Sequence, residues 1–380
     1  MERRIVILGS TGSIGRAALE VVEGLAPGAR VVGLTAGDNW QRLAEQVHCT
    51  KAPLAAIADQ RGYDALRRAC PETRVMAGPD GLVELVRCAD ADFVLAAIVG
   101  AAGLPATLAA VERGLAVGVA NKESLVVAGA ILMPLARQRG ATIIPVDSEH
   151  SAVFQCLAAG RPSEVRKIYL TASGGPFRTW SAAQMAEATP ADALRHPTWS
   201  MGPKITIDSA TMMNKALEVI EARHLFGLAV EQIEVLVHPQ SIVHSMVEYC
   251  DGSIIAQMGT PDMRTPIQYA MTHPQRGAAG GAALDWKAVR ALEFEPPDPG
   301  RFPALRLGYE AARLGGSSGA VLNAANERAV DLFRERRIGF LDIVRLSERV
   351  LSRHRCIAEP TLAQLLDSDR WARMEVDACC

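Results

Sequence analysis

The sequence predicts an α/β protein in three parts, and three observations carry that expectation. Short β-rich runs alternate with helical periods through the first 150 residues, which predicts a doubly wound, mostly parallel sheet. From Ser151 a long polar, tryptophan-containing stretch is followed by a helix and closely spaced strands, which reads as a smaller α+β domain. Beyond Leu305, amphipathic helices follow one another without strands, as in a C-terminal helical bundle. The boundaries that follow are 1–150, 151–284 with a lid at about 173–203, a linker at 285–304, and 305–380. A chain of 380 residues exceeds one hydrophobic core, consistent with this division.

In the first part the strands are expected at Ile5 to Leu8, Val31 to Leu34, Ala55 to Ala58, Phe93 to Val99, Ala116 to Val119 and Thr142 to Val146. Ile14 to Leu25 and Trp40 to Val47 space apolar residues by three and four, as crossover helices do. Phe93 to Val111 carries no charge, but Gly100, Gly103 and Pro105 interrupt it. It reads as a buried strand, a turn and a helix start rather than a membrane span. In the second part a helix is expected from Asp208 to His224, then strands at Ile233 to Val237, Ser241 to Glu248 and Ser253 to Met258. Pro296, Pro297, Pro299 and Pro303 mark the linker. The tail helices are expected at Leu305 to Leu314, Ala320 to Arg336, Leu341 to Arg353 and Thr361 to Leu366.

Forty basic and forty-two acidic residues give a net charge of -2 without a basic stripe, which argues against a nucleic-acid partner. Eight cysteines lack CxxC or framework spacing and read as reduced thiols. The first strand begins by Ile5, leaving no room for a targeting segment, so a cytoplasmic location without a membrane partner is expected.

Gly9, Gly12 and Gly15 lie between a buried strand and a helix. Glycine there lets the turn tighten while backbone N–H groups approach a pyrophosphate, the Rossmann-like arrangement. The GxxGxxG spacing is equally that of a structural turn; its place after the first strand of a βαβ series favours a dinucleotide. Asp38, after the second strand, favours a free ribose 2′-hydroxyl and hence NAD, or else opens a helix cap.

Asp147 and Glu149 lie two apart at an expected strand end, so both side chains would face one side. Paired hard carboxylates suit Mg²⁺ or Mn²⁺; a solvated helix cap is the alternative. On the helix from Asp208, Ser209, Asn214, Lys215, Glu218 and Glu221 share a surface otherwise rich in Met and Ala. That face offers a hydroxyl, amide, ammonium and carboxylate to a phosphorylated ligand, or is a solvated face. His196 stands with Trp199 and Met201 on the expected lid, where an aromatic and a thioether exclude water from a ligand or simply pack.

Together these segments resemble the 1-deoxy-D-xylulose 5-phosphate reductoisomerases over nearly the whole chain. The resemblance runs through Gly9 to Gly15, Ala120-Asn121-Lys122-Glu123-Ser124, Asp147 to His150, Ala172 to Phe177, His196 to Gly202, Asp208 to Glu218, His238 to Met246, Asp262 to Ile267 and Asn323 to Glu327, in that order. It implies rearrangement and NADPH-dependent reduction of 1-deoxy-D-xylulose 5-phosphate to 2-C-methyl-D-erythritol 4-phosphate by a homodimer that uses Mn²⁺, Mg²⁺ or Co²⁺. Asp147, Glu149 and Glu218 would bind the metal, and Ser148, Ser173, Ser209, Asn214 and Lys215 the substrate. Lys122 would lie between substrate and nicotinamide, with His196 and Trp199 closing over them and His150 and His244 in support. Thr11, Gly12, Ser13, Ile14, Gly37, Asp38, Asn39, Asn121, Glu123 and Gly202 would meet the dinucleotide. One departure is Asp38, where many relatives carry a basic residue; Arg42, one turn on, is the nearest replacement, and NAD is kept as the alternative to NADP.

Two rival readings stand beside this one. A semialdehyde dehydrogenase shares the glycine loop but needs a thiolate, and Cys156 is the candidate. A non-catalytic dinucleotide sensor would have little use for Asp147, Glu149 and Glu218 together.

Overall fold

A computed structural model describes residues 2–199, 201–278 and 280–380. The chain forms two compact units. The first is Met1–Ser124, Leu132–Ser151 and Asp262–Ala282; the second is Leu125–Ile131, Ala152–Pro261 and Ala283–Cys380.

The first unit is built on a parallel sheet of β1 (Arg3–Leu8), β2 (Ala29–Ala36), β3 (Leu54–Ile57), β4 (Arg74–Ala77), β5 (Phe93–Ala96), β6 (Ala116–Val119) and β7 (Ile143–Pro145). Between them run α1 (Ser13–Leu25), α2 (Trp40–Thr50), α3 (Tyr63–Ala69), α4 (Gly78–Cys88), α5 (Leu104–Glu112) and α6 (Lys122–Arg139), and α7 (Ser148–Cys156) follows β7. The strand order β4-β3-β2-β1-β5-β6-β7 reverses direction between β1 and β5. In open α/β sheets ligands bind outside the carboxyl ends of the strands at such a point. Ile5, Val6, Ile7 and Leu8 are all fully buried, as a central strand covered on both faces requires.

Three local expectations change. The short edge strand β4 carries an exposed Arg74 and lacks a continuous apolar run, so it was not anticipated. The run from Phe93 leaves the sheet at Ala96, and Val99 is 76% exposed. Asp262–Ala282, assigned by sequence to the second domain, belongs to the first unit. There α12 (Arg264–Thr272) buries Ile267, Ala270 and Met271, and the Arg3 guanidinium donates to the carbonyls of Met271 at 2.6 Å and His273 at 3.1 Å.

The second unit contains a sheet of β8 (Val165–Ala172), β9 (Ile233–Val237), β10 (Val243–Tyr249) and β11 (Ile254–Met258), in the order β11-β10-β8-β9. β8, parallel to β9 and antiparallel to β10, is the strand that sequence reading missed. Two short helices, α8 (Ala182–Ala186) and α9 (Pro190–Ala193), occupy the expected lid. Phe177 is buried there at 4.3 Å from Trp180 and 4.8 Å from Phe340, measured between ring centroids, so the front half of that stretch is core. The helix expected from Asp208 to His224 is two helices, α10 (Pro203–Thr211) and α11 (Met213–Phe226), broken where Met212 takes a left-handed φ of 59°.

The tail forms α13 (Ala304–Leu314), α14 (Ser318–Arg334), α15 (Phe340–Arg353) and α16 (Leu362–Ala378), the last far longer than the expected Thr361 to Leu366. Ile168 and Leu170 of β8, Leu217 of α11, and Phe333 and Phe340 of the tail share one apolar core. The helical tail is therefore continuous with the second unit rather than a separate domain. Its expected linker is partly ordered by pairing, because Val237 and Glu295 exchange backbone hydrogen bonds at 2.8 and 3.0 Å. Among the described residues no helix is long and apolar enough to cross a membrane.

Close approach of α13 to α11 depends on Gly308. A Cβ there would stand 2.4 Å from the Ala216 carbonyl oxygen and 2.5 Å from its Cα, both backbone atoms of a buried helix. Gly308→Ala is accordingly expected to destabilise the protein by about 1–3 kcal/mol through overpacking, read as an earlier midpoint in urea; an unchanged midpoint would show that the helices separate at no cost.

Candidate active site

In the first unit the glycine loop is fixed by close packing. Gly9 has φ +84°, and a Cβ on it would sit 2.7 Å from the Ala97 carbonyl; one on Gly15 would sit 2.3 Å from the Gly9 carbonyl. Ser10 anchors the turn, donating to Gln46 Oε1 at 2.7 Å, while Gln46 Nε2 donates to the Ser10 carbonyl at 2.9 Å. Gly12 precedes α1, whose first turn has no side-chain cap. Gly12 and Ser13 are exposed and Thr11 and Ile14 half-buried, so the helix start can receive an anion.

Gly37, Asp38 and Asn39 are exposed after β2. Asn39, rather than Asp38, caps α2, accepting from the Arg42 N–H at 3.0 Å. Arg42 pairs with Glu45 at 2.8 Å. Sequence reading missed Arg61, whose guanidinium lies beside Asp59 at 2.8 Å; Asp59 chiefly, and Asp38 to a lesser degree, push its pKa up. Nothing in the spacing of Arg61 from the β2 end betrays that proximity. Asn121 caps α6 by accepting from the Glu123 N–H at 2.9 Å and donates to the Gly100 carbonyl at 2.8 Å, so Asn121, Lys122 and Glu123 are held buried.

The Lys122 ammonium reaches Asp147 Oδ2 at 2.7 Å, with only 8% and 16% of the two side chains exposed. His150 Nδ1 stands 3.8 Å from the same oxygen, and the Ser148 hydroxyl donates to the Glu149 carboxylate. β7 ends at Pro145 and α7 begins at Ser148, so Glu149 lies in the first turn of a helix. The expectation that strand alternation aligns Asp147 with Glu149 is thus corrected: a strand-to-helix turn presents the two acids.

In the second unit, β8 ends at a turn where Gly175 has φ +67° and a Cβ would stand 2.4 Å from the Ser209 carbonyl. That contact seats the turn after Ser173 on α10. His196 Nδ1 accepts from the N–H groups of Trp199 at 2.9 Å and Thr198 at 3.1 Å, and its Nε2 lies 2.9 Å from the Ser173 hydroxyl. With Nδ1 accepting, the ring is neutral and Nε2–H donates to Ser173, which also accepts from the Gly175 N–H at 3.2 Å. The Ser173 hydroxyl, accepting twice, keeps its own proton to donate to an acceptor. Trp199 and His244 rings stand 6.2 Å apart, and Gly202 caps α10 with open space where a Cβ would be. Ser200, within the same segment, lies outside the described residues.

On α11, Asn214 Nδ2 donates to Glu218 Oε1 at 2.6 Å and Lys215 Nζ pairs with Glu218 Oε2, with Glu218 fully buried. The shared face read from the sequence is therefore real for Asn214, Lys215 and Glu218, while Ser209 belongs to the preceding helix. Cys156 is buried at the end of α7, and loss of solvent pushes its thiol up to about 11. A thiol so rarely ionised at neutral pH is a poor nucleophile, which removes the basis for a semialdehyde dehydrogenase.

A doubly wound sheet with a glycine loop at its reversal point defines the class: a dinucleotide-fold enzyme, here with a second unit that carries buried polar groups at Lys215 and Glu218. Three family descriptions match: 1-deoxy-D-xylulose 5-phosphate reductoisomerase over residues 5–129, its C-terminal domain over 143–226, and a DXP reductoisomerase C-terminal domain over 258–375. A reductoisomerase of this name from Heliobacterium modesticaldum is 51% identical over 98% of this chain and 96% of its own. That of Rhodospirillum centenum is 54% identical over 92% and 87%. The solved Zymomonas mobilis enzyme in complex with NADPH superposes with TM-score 0.94 at 47% identity, covering 100% of this chain and 99% of its own. A second solved reductoisomerase, in complex with NADPH, fosmidomycin and magnesium, gives 0.92 at 40% identity, covering 99% and 98%. The chain belongs to the 1-deoxy-D-xylulose 5-phosphate reductoisomerase family.

Burial holds the His196 pKa below the ordinary 6.5. Its neutral ring, and the acceptance at Nδ1 from Thr198 and Trp199, persist above pH 6.5 and are lost as pH falls through the lowered value and Nδ1 takes a proton. Following the His196 ring protons by NMR should give a midpoint below 6.5; a midpoint at or above it would contradict the double acceptance at Nδ1.

Proposed function

We propose that this chain rearranges 1-deoxy-D-xylulose 5-phosphate and reduces the product with NADPH, giving 2-C-methyl-D-erythritol 4-phosphate for non-mevalonate isoprenoid biosynthesis. Membership of the reductoisomerase family over almost the full chain carries this reading. Asp147, Glu149 and Glu218 are the ligands for a divalent cation. They supply hard carboxylate oxygens, Glu218 fully buried and Asp147 and Glu149 half-buried, the donor set suited to Mg²⁺, Mn²⁺ or Co²⁺. When bound, the cation polarises the substrate carbonyl and NADPH supplies hydride.

The chain's own groups then bind, orient and screen. Ser148, Ser173, Ser209, Asn214 and Lys215 take the hydroxyls and phosphate of the substrate; the Ser173 hydroxyl, with its proton left to donate, and the Lys215 ammonium match an anionic group. Lys122 holds Asp147 and stands where the dinucleotide helix α6 begins, so it can balance charge as the carbonyl is reduced. Thr11, Gly12, Ser13 and Ile14 receive the pyrophosphate, and Gly37, Asp38 and Asn39 the adenosine ribose. Asn121, Glu123 and Gly202 receive the nicotinamide end. Arg42 and Arg61 support NADPH over NADH despite Asp38, because both guanidiniums stand on exposed segments following β2 and β3. His196 orients Ser173, and with Trp199 excludes water from the bound substrate.

The working form is a cytoplasmic homodimer. Eight free thiols suit a reducing compartment, and the outer edge strand β11 presents Ile254 and Ile255, 52% and 38% exposed, to a second copy.

Loss of absorbance at the reduced nicotinamide band tests the activity, with substrate, Mn²⁺ and NADPH or NADH in parallel. NADPH should be consumed faster than NADH, consumption should cease on chelating the metal, and Glu218→Gln should lower kcat by about 100-fold or more. No consumption of either cofactor by folded, Mn²⁺-supplied protein would remove the proposed activity.

A further inference from the structure

The run Asn323 to Glu327 on α14 takes no part in the function above, yet Asn326 is fully buried and points at α10. Its Nδ2 donates to Asp208 Oδ1 at 2.8 Å, and Asp208, 1% exposed, pairs through Oδ2 with the Lys204 ammonium at 2.8 Å. The opposite placement of the amide would set an oxygen against a carboxylate, so charge fixes its orientation. Asn326 Oδ1 is buried without a hydrogen-bond partner, a cost the fold accepts in order to hold Asp208. The other side of α14 is tied to α16: Asn323 donates to Glu327 at 3.0 Å, Glu327 pairs with Arg373 at 2.5 Å, and Arg373 with Asp369 at 2.8 Å. Asn326 is thus carried by a rigid element.

What Asp208 controls lies immediately beside it. Ser209 is the next residue, and its carbonyl abuts Gly175 in the Ser173 turn. The Thr211 hydroxyl donates to the Asp208 carbonyl at 3.2 Å and accepts from the Met213 N–H at 3.2 Å. These bonds brace the break at Met212 from which Asn214 and Lys215 are aimed. We infer that Asn326 is a positioning residue: through Asp208 it sets the α10–α11 break and hence the anion-binding group of Ser173, Ser209, Asn214 and Lys215. The inference rests on the reading that this group takes the substrate phosphate. Without Asn326, Asp208 keeps only Lys204 as a side-chain partner among the described residues, and with the Lys204 side chain 21% exposed the carboxylate can draw α10 toward water. Displacements of a few tenths of an ångström suffice to weaken an aligned set of donors.

The test compares the wild type with Asn326→Asp, Asn326→Ala, the exchange Asn326→Asp with Asp208→Asn, and Lys215→Ala. For each, kcat, KM for 1-deoxy-D-xylulose 5-phosphate and the inhibition constant of inorganic phosphate are measured, with thermal melting alongside. Asn326→Asp should raise KM and the phosphate constant about tenfold or more, with kcat at saturation within about threefold. The exchange, which restores one amide–carboxylate bond, should recover most of that loss. Asn326→Ala reads the same way if the Asp variant does not fold. Unchanged KM and phosphate constant in folded Asn326 variants, whatever their melting temperature, would overturn the inference while Lys215→Ala still weakens both. If Lys215→Ala has no effect, the phosphate reading itself fails.

Discussion

A carboxylate removed from water must be met by cations and donors or it will not stay ionised, and this constraint governs the chain around Glu218 and Asp147. Glu218 is fully buried and held by Lys215 and Asn214 from its own helix. Asp147 is held by Lys122 and flanked by His150. In both cases the partner is itself a residue with a proposed role toward substrate or cofactor, so the proposal gives the same groups two tasks, to stabilise the acids and to act. Removing one member would strand a buried charge as well as remove a ligand, which makes such sites intolerant of substitution.

The constraint propagates into the backbone. Lys215 and Asn214 face Glu218 at helical spacings of three and four within α11, and the break at Met212, braced by Thr211 and Asp208, sets where that face begins relative to α10. Gly175 and Gly308 let the Ser173 turn and α13 lie against backbone atoms of α10 and α11. Around the polar residues, the apolar core joining β8, α11 and the tail helices resists the rearrangements that unpaired charge would otherwise drive.

Much of this was legible in the sequence. The alternation of strand and helix periods located six of the seven parallel strands, and the glycine spacing located the loop at the reversal point. The acids and the polar face of α11 were visible as residue types. What escaped had physical reasons. β8 mixes Arg166 and Lys167 with its apolar residues, because only one face is fully covered, and so lacks a plain strand signature. Met212 has no preference for the left-handed region, so no residue announced the break. Glu149 was placed on a strand because alternation and a first helical turn both separate two acids by one residue. The burst of charge at Asp367, Asp369 and Arg370 concealed the continuation of α16, although Ala372 and Val376 keep its inner face apolar. The pairing of Asn326 with Asp208 spans 118 positions and could not be read from one chain alone.

The proposal on which the account turns is that Asp147 and Glu218 are ligands of a divalent cation. Titration of Mn²⁺ followed by its electron paramagnetic resonance signal tests it most directly, in the wild type, Asp147→Asn and Glu218→Gln. The account predicts one tight Mn²⁺ per wild-type chain and affinity at least about tenfold weaker in each variant, both of which retain the fold by circular dichroism. Full-strength Mn²⁺ binding by either variant would contradict it.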